Sequence, residues 1–403
     1  MSEEQIRLLE TVAIRNVGGL TYKAVQELNN SGLIESSCFI DLAGLINALK
    51  NLDLSERTDI SVRECIKNSD KIKRAIDNYL RIITKDRIDI VPSYDLDYPY
   101  EWKNLSGMPD IVFAKGDKHV LSSITTAGAV SMVGSRKPGR YAEYATEEFS
   151  KKITNEGIVI VSGLAIGIDA VAHRACIEAG GKTVGIIPCG PDVIYPYQNK
   201  DLYDAISSNG VILSELPPGE PVIKQYFPAR NRLISAISDS CLIMEAGMYS
   251  GTLHTASFAA AQGKDVFVLP NSIYSENSIG GLELLRDGAE VLIDSETVVD
   301  RVRGEIDKRR LLMGDDFPGK NNKGERDIKL LRTLCRKSKD ALTEDEWKRV
   351  VLDEISIKPV NIDDLSSSLA IPVSFLAAIV TELETNRYIE NRYGKYVLTI
   401  PKR

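Results

Sequence analysis

The chain has 403 residues, of which 43% are hydrophobic and 27% charged, a composition that excludes wholesale disorder and predicts two or three folded domains. Its net charge of −7 counts against a protein whose whole surface binds nucleic acid, so such binding would need a local basic patch. No apolar run has the length of a membrane span, and the start Met-Ser-Glu-Glu lacks the cations of a secretory signal. We expect a cytoplasmic protein with no membrane contact.

The cysteines agree with a reducing compartment. They are scattered, they form no Cys-x-x-Cys pair, and only three histidines could join them in a metal site. We therefore expect buried free thiols and no metal. The six are Cys38, Cys65, Cys176, Cys189, Cys241 and Cys335.

Residues 1–85 predict a domain of short helices. Asn16-Val17-Gly18-Gly19 joins two helical patterns, and this arrangement fits two interpretations. One is a helix-hairpin-helix unit, whose turn offers backbone N–H groups to a DNA phosphate. The other, which a single short motif favours, is a helical packing module.

Residues 86–300 predict an α/β domain, with a lead-in strand within 86–125 and then short apolar runs that alternate with helical patterns. Apolar runs bounded by helices are typical of a parallel sheet covered on both faces, so we expect a doubly wound, Rossmann-like core. The runs are 129–133, 158–162, 184–188, 211–213, 241–244 and 265–269, and the helices are expected at 139–155, 169–180, 199–208, 231–237 and 251–262.

The remaining residues change character. Residues 301–326 are dense in charge and contain Pro318-Gly319, which predicts a linker. Within 327–403, two helical patterns precede two short strand patterns, the order of a winged helix. Its wing is basic and fits duplex DNA or a protein partner equally well; its cations are Arg387, Arg392, Lys395, Lys402 and Arg403.

In a doubly wound sheet the ligand binds where parallel strands end. There the chain places Gly134-Ser135-Arg136 and Ser162-Gly163, and glycines and hydroxyls at helix N-termini favour an anion. The same edge gathers the basic patch that the net charge does not provide: Arg136, Lys137, Arg140, Lys224, Arg230 and Arg232. Aromatic residues in these loops could stack on bases: Tyr195, Tyr197, Tyr226 and Phe227. Phosphate contacts with stacking predict single-stranded nucleic acid without strong sequence preference.

Several catalytic or cofactor sites are excluded by spacing. Gly163 to Asp169 does not match the dinucleotide fingerprint Gly-x-Gly-x-x-Gly, and Gly181-Lys182-Thr183 follows a helix where a P-loop would open one. Asp169 and His173 lie one helical turn apart, but we expect them, with Gly167, to shape a turn, cap a helix and pack. No cofactor is predicted.

The ordered motifs resemble the DprA/Smf (DNA-processing protein A) family over nearly the whole chain. They are Met132-Val133-Gly134-Ser135-Arg136, Ser162-Gly163-Leu164-Ala165, Gly167-Ile168-Asp169, Ala172-His173, Gly190, Asp192, Tyr195-Pro196, Ser214-Glu215, Phe227-Pro228, Arg230-Asn231-Arg232-Leu233-Ile234, Glu245-Ala246, Ser250-Gly251-Thr252 and Gly288-Ala289, with Asp97-Tyr98-Pro99 before them. The resemblance implies a SAM-like helical domain, an extended Rossmann-like core and a winged helix. It also implies a homodimer formed through the core.

For function, the resemblance implies a non-enzymatic protein that binds single-stranded DNA, protects incoming DNA in natural transformation and loads the RecA recombinase. The family's DNA pocket corresponds here to Gly134, Ser135 and Arg136, to Ser162 and Gly163, and to the loop from Phe227 through Arg230 and Asn231 to Arg232. Three places depart from the family pattern. Asn271 replaces a usual glycine, Gly280-Gly281-Leu282 lacks the usual Asn before Leu, and Tyr197 stands where a basic residue often follows the Tyr-Pro turn.

Two other functions fit this type of core. Nucleotide phosphoribohydrolases carry Pro-Gly-Gly-x-Gly-Thr-x-x-Glu after the fifth strand of the core, whereas Gly251-Thr252-Leu253-His254-Thr255 lacks the glutamate. That absence argues against the enzyme. A sensor of a nucleotide ligand remains a second alternative.

Overall fold

The computed structural model of the protein describes residues 2–30, 39–52, 54–103, 105–314, 317–318, 344–357, 360–369, 373–386, 388–392 and 395–398. Its centre is a nine-stranded sheet in the order β1-β2-β6-β5-β4-β3-β7-β8-β9. The strands are β1 Ile88–Pro92, β2 Ile111–Gly116, β3 Ala129–Gly134, β4 Val159–Ser162, β5 Thr183–Ile186, β6 Val211–Ser214, β7 Ser240–Glu245, β8 Asp265–Val268 and β9 Glu290–Val291.

The seven neighbouring strands β6, β5, β4, β3, β7, β8 and β9 are parallel to one another. This confirms the predicted α/β core with a mostly parallel sheet. Alternate side chains enter the two faces: Val130 and Met132 pack in one hydrophobic cluster, and Ala129 and Val133 in another. Burial on both sides explains why these runs are almost entirely apolar. The lead-in segment supplies two strands, since β1 pairs with β2 and β2 with β6, both antiparallel.

The crossover helices cover the two faces. They are α6 His119–Ala127, α7 Arg140–Asn155, α8 Ile168–Glu178, α9 Lys200–Asn209, α10 Tyr226–Ile237, α11 Thr252–Ala261, α12 Ile279–Arg286 and α13 Ser295–Met313. From β3 the chain proceeds through β4, β5 and β6 on one side and returns to β7 on the other. The connections after β3 and β7 therefore diverge, and a crevice opens at their carboxyl ends.

The expected linker is wrong for residues 301–313, which form the second half of α13. Val298, Val302 and Ile306 are buried in the cluster on one face of the sheet, a helical spacing that the surrounding charges hide. Arg309 is also buried and is paired with Asp239. The rest of the expected linker lies largely outside the described residues.

In the described part of the chain, five α-helices precede the sheet: α1 Glu3–Ala13, α2 Tyr22–Asn30, α3 Leu42–Asn51, α4 Glu56–Lys67 and α5 Ser69–Asp86. A short π-helix, Ile14–Gly18, follows α1. The hydrophobic cluster of these helices includes Ile90 and Phe113, so they pack on the antiparallel end of the sheet. In the Gly18-Gly19 turn, the N–H groups of Gly19 and Leu20 donate to the Ile14 carbonyl, and that of Thr21 donates to Ser61 Oγ at 3.1 Å. These amides are engaged inside the protein, which favours the packing module over the phosphate-binding turn.

The carboxyl-terminal segment contains α14 Glu344–Ile357, α15 Ile362–Leu369, α16 Val373–Thr385 and the antiparallel strands β10 Ile389–Arg392 and β11 Lys395–Leu398. A groove of about 580 Å³ between this segment and the core is lined by Asp239 and Asp265 on one side and by Thr385 and Tyr388 on the other. Because Asp239 and Asp265 lie where β7 and β8 begin, the segment sits at the amino ends of these strands. Arg387, Lys402 and Arg403 of the predicted wing lie outside the described residues.

Within the described ranges, no helix combines the length and apolar character needed to cross a membrane. The same ranges contain no group of three metal-ligating side chains that could hold an ion. Cys65, Cys176, Cys189 and Cys241 are buried free thiols, and burial raises the pKa of Cys65 to about 11. Cys38 and Cys335 fall outside the described residues.

Candidate nucleic-acid interface

An open cleft of about 550 Å³ lies at the switch point, beyond the carboxyl ends of β3 and β7. Six of the predicted site residues line it: Gly134, Ser135, Arg136, Phe227, Arg230 and Asn231. A smaller adjoining pocket of about 60 Å³ is bordered by Arg136, Gly163, Tyr195, Phe227 and Arg230. The residues that the sequence predicted to bind DNA therefore meet at this cleft and make up six of the nineteen residues of its described lining.

The Gly134-Ser135-Arg136 loop is fixed by two glycines. A Cβ at Gly134 would overlap Ile168, and one at Gly167 would overlap the carbonyl oxygen of Ser135. Gly167 also has φ +81°, a conformation that side chains disfavour. The close approach lets Ile168 N–H donate to the Ser135 carbonyl at 3.1 Å. Gly167 thus has the structural turn role expected for it.

Arg136 lies exposed at the mouth of the cleft. Its guanidinium carbon is 5.5 Å from the centroid of the Phe227 ring, and the Phe227 and Tyr195 centroids are 5.8 Å apart at an interplanar angle of 76°. A cation stacked on a ring is held in place while its charge stays in solvent. The cleft therefore presents a positioned positive charge beside two aromatic surfaces.

Two arginines of the predicted basic patch donate hydrogen bonds to other groups of the protein. Arg230 is buried and donates to the carbonyl oxygens of Gly163, at 2.7 Å, and Ile186, which ties α10 to the ends of β4 and β5. Burial lowers its pKa. Arg232 Nη2 lies 2.6 Å from each carboxylate oxygen of Glu215. Of the six predicted cations, these two are therefore engaged in hydrogen bonds within the protein.

Ser162 does not reach the surface. It is fully buried, and its hydroxyl donates to the Met132 carbonyl at 2.6 Å, so this side chain is engaged inside the protein. Gly163 is also buried, and its carbonyl accepts the hydrogen bond from Arg230. Ser162 and Gly163 therefore form part of the buried structure beneath the cleft. Lys137, Arg140 and Lys224 are exposed, but they stand outside the described lining of both pockets.

Asp169 and His173 are buried and have separate partners. The Asp169 carboxylate accepts from the N–H groups of Gly163 at 3.1 Å and Ala165 at 3.4 Å, so it stabilises the turn before α8. His173 Nδ1 is 2.6 Å from Thr183 Oγ1, and burial lowers its pKa to about 3. These contacts support the expected structural roles of the two residues.

Glu245 was missed as a part of the site. It ends β7, it is 4% exposed, and its two carboxylate oxygens accept from Gly139 N–H at 3.3 and 3.2 Å at the start of α7. A protein carboxylate therefore occupies this helix N-terminus, where the sequence suggested a free anion site. Burial raises the pKa of Glu245, and its charge lies next to the Gly134-Arg136 loop.

The fold and the cleft define an open α/β protein whose ligand site lies at the topological switch point. The family model of DNA recombination-mediator protein A matches residues 89–303, which is more than half of the chain. The chain belongs to this family.

Relatives support the assignment. The DNA processing protein DprA of Bacillus subtilis (strain 168) is 36% identical over 215 residues, covering 53% of this chain and 71% of the relative. Protein Smf of Synechocystis sp. is 33% identical over 301 residues, covering 72% and 75%. The X-ray structure of DprA from Streptococcus pneumoniae aligns with a TM-score of 0.59 at 28% identity, covering 74% of this chain and 98% of that one.

Proposed function

We propose that the chain binds single-stranded DNA in the switch-point cleft. The observation that carries this proposal is the exposed Arg136 guanidinium stacked on Phe227, with Tyr195 at the edge of the same ring. Arg136 is placed to pair with a phosphate, and the rings are placed to receive bases. Bases inside a duplex are already stacked on their neighbours, so this combination suits an unpaired strand.

The other site residues divide into two roles. Lys137, Arg140 and Lys224 are exposed and extend the positive field along the backbone of the strand. Arg230 and Arg232 act as positioning residues, because their hydrogen bonds hold α10, and with it Phe227, against the sheet. Asn231 lines the cleft and supplies an uncharged hydrogen-bonding group.

Fluorescence anisotropy with a labelled oligo-dT tests the proposal. We expect binding at micromolar protein in low salt, weakening as salt rises because cations released from the strand drive association. Unlabelled duplex of equal length should compete poorly. Absence of oligo-dT binding, or equal competition by duplex, would contradict the proposal.

We further propose that this cytoplasmic protein acts as a homodimer formed through the Rossmann-like core, protects incoming DNA in natural transformation and hands it to the RecA recombinase. The support is membership in a recombination-mediator family. Addition of the protein should accelerate RecA filament assembly on single strands coated by a single-strand-binding protein. An unchanged assembly rate would refute the handover, while the binding test above would still stand.

We also propose that the cleft is not catalytic. Thr255, a buried residue of the cleft lining, stands where the phosphoribohydrolase motif places its glutamate, and a hydroxyl of ordinary acidity cannot replace a carboxylate in that chemistry. Release of free base from AMP by the protein would contradict the proposal that the cleft is not catalytic.

A further inference from the structure

The two sides of the cleft differ in chemistry. Residues 135–140, here called the cationic rim, carry Arg136, Lys137 and Arg140. A second set of loops, residues 246–251 and 271–278, contains no Lys or Arg; it carries two tyrosines, Tyr249 and Tyr274, and one acid, Glu276. We call these loops the tyrosine rim.

The tyrosine rim borders the cleft through Tyr249 and Asn277, which line it. Tyr274 lies three residues before Asn277 and outside the described lining. Asn277 Nδ2 donates to the Lys137 carbonyl at 3.2 Å, which joins the two rims. Gly281 N–H of α12 donates to the Ala246 carbonyl at 3.0 Å, which ties the first loop of the tyrosine rim to the helix that follows the second.

Tyr249 is 100% exposed and Tyr274 92% exposed. A large aromatic side chain that packs on nothing gains none of the free energy of burial, and several such residues together mark a binding surface. The loop of Tyr274 is ordered by local hydrogen bonds, with Tyr274 N–H donating to Ser272 Oγ at 3.2 Å and Ser275 N–H to the Ser272 carbonyl at 3.1 Å. These hydrogen bonds hold the backbone that carries the Tyr274 ring.

We propose that Tyr249 and Tyr274 form a second base-stacking platform at the cleft, separate from the Arg136–Phe227 pair. This inference rests on the proposed function and adds a subsite to it. A single strand presents both phosphates and bases, and the cleft offers cations on the cationic rim and further rings on the tyrosine rim in addition to those of Phe227 and Tyr195. Tyrosine suits this role because it offers a large flat surface with only two side-chain torsions to order.

Two labelled strands separate stacking from phosphate binding: an oligo-dT and a strand of equal length with abasic sites. For Tyr249→Ser combined with Tyr274→Ser, we expect oligo-dT affinity to fall at least about five-fold, the lower end for loss of a base–aromatic stack. Affinity for the abasic strand should change less than about two-fold. The matched control, Tyr249→Phe with Tyr274→Phe, keeps both rings and should bind oligo-dT like the parent chain.

Four results decide the inference. If the parent chain binds no oligo-dT, the proposed function fails and the subsite with it. If the parent chain binds but the serine variant loses nothing, the subsite alone is refuted. An equal loss on both strands would refute stacking as well. Tyr144→Ser, at an exposed α7 position outside the described cleft lining, should leave binding unchanged; an equal loss there would also refute a role specific to the tyrosine rim.

Discussion

Arg136 differs from Arg230 and Arg232 in what its charge is used for. Arg230 satisfies backbone carbonyls in the interior, and Arg232 is neutralised by Glu215, whereas Arg136 rests on an aromatic ring with its charge in solvent. The sequence alone predicts the same DNA-binding role for all three arginines because each follows a strand of the same sheet. Their partners lie 17 or more positions away in the chain, and only the fold brings them together.

Glu245 places a negative charge beside this positive site, which predicts a pH effect on binding. Its pKa is raised by burial, so as pH falls it takes up a proton earlier than an ordinary glutamate, and the repulsion of a phosphate at Ser135-Arg136 disappears. Oligo-dT affinity of the parent chain should therefore increase between about pH 8 and about pH 5.

Glu245→Gln keeps an acceptor for Gly139 N–H and removes the charge. We expect this variant to bind oligo-dT roughly two- to ten-fold more tightly near neutral pH, the effect of removing one nearby like charge, and to show a shallower pH dependence than the parent. Anisotropy titrations over that pH range measure both. A pH profile of Glu245→Gln that runs parallel to the parent's would disprove the role of this carboxylate.

At the scale of elements, periodicity predicted the buried parallel strands and their helices well. Runs such as 129–133 and 158–162 stand out because both faces of the sheet are covered. Helix α13 was missed because its buried Val298, Val302 and Ile306 are interspersed with charged residues that face solvent or, like Arg309, are paired inside. Strands β2 and β6 pair antiparallel although they are about 100 residues apart in the chain. The local sequence pattern of either strand cannot indicate this pairing.

The carboxyl-terminal segment lies at the opposite end of the sheet from the cleft. Strand β7 has six residues and spans about 20 Å, with the segment near its first residue and the cleft beyond its last. Deleting residues 343–403 should therefore change oligo-dT affinity less than about two-fold. Lys395→Ala tests the same point in the full chain, since Lys395 is an exposed cation of the segment. A ten-fold loss in either variant would mean that the segment touches the bound strand.

At the scale of the whole molecule, a net charge of −7 is compatible with DNA binding if the cations that meet the DNA lie together at one place. The cationic rim carries three exposed cations within five residues, Arg136, Lys137 and Arg140, at one end of the parallel sheet. Attraction of DNA should be confined to the cleft, because the acidic remainder of the surface repels the strand.

The most direct measurement compares oligo-dT binding by Arg136→Ala with that by Arg174→Ala. Arg174 is an exposed arginine of α8 outside the described cleft lining, so both variants lose one positive charge. We predict that Arg136→Ala weakens binding by ~1–3 kcal/mol, the size of a charge-assisted contact, and lowers the salt slope by about 0.7, while Arg174→Ala stays close to the parent chain. Equal affinities for the two variants would contradict the assignment of the switch-point cleft as the DNA site.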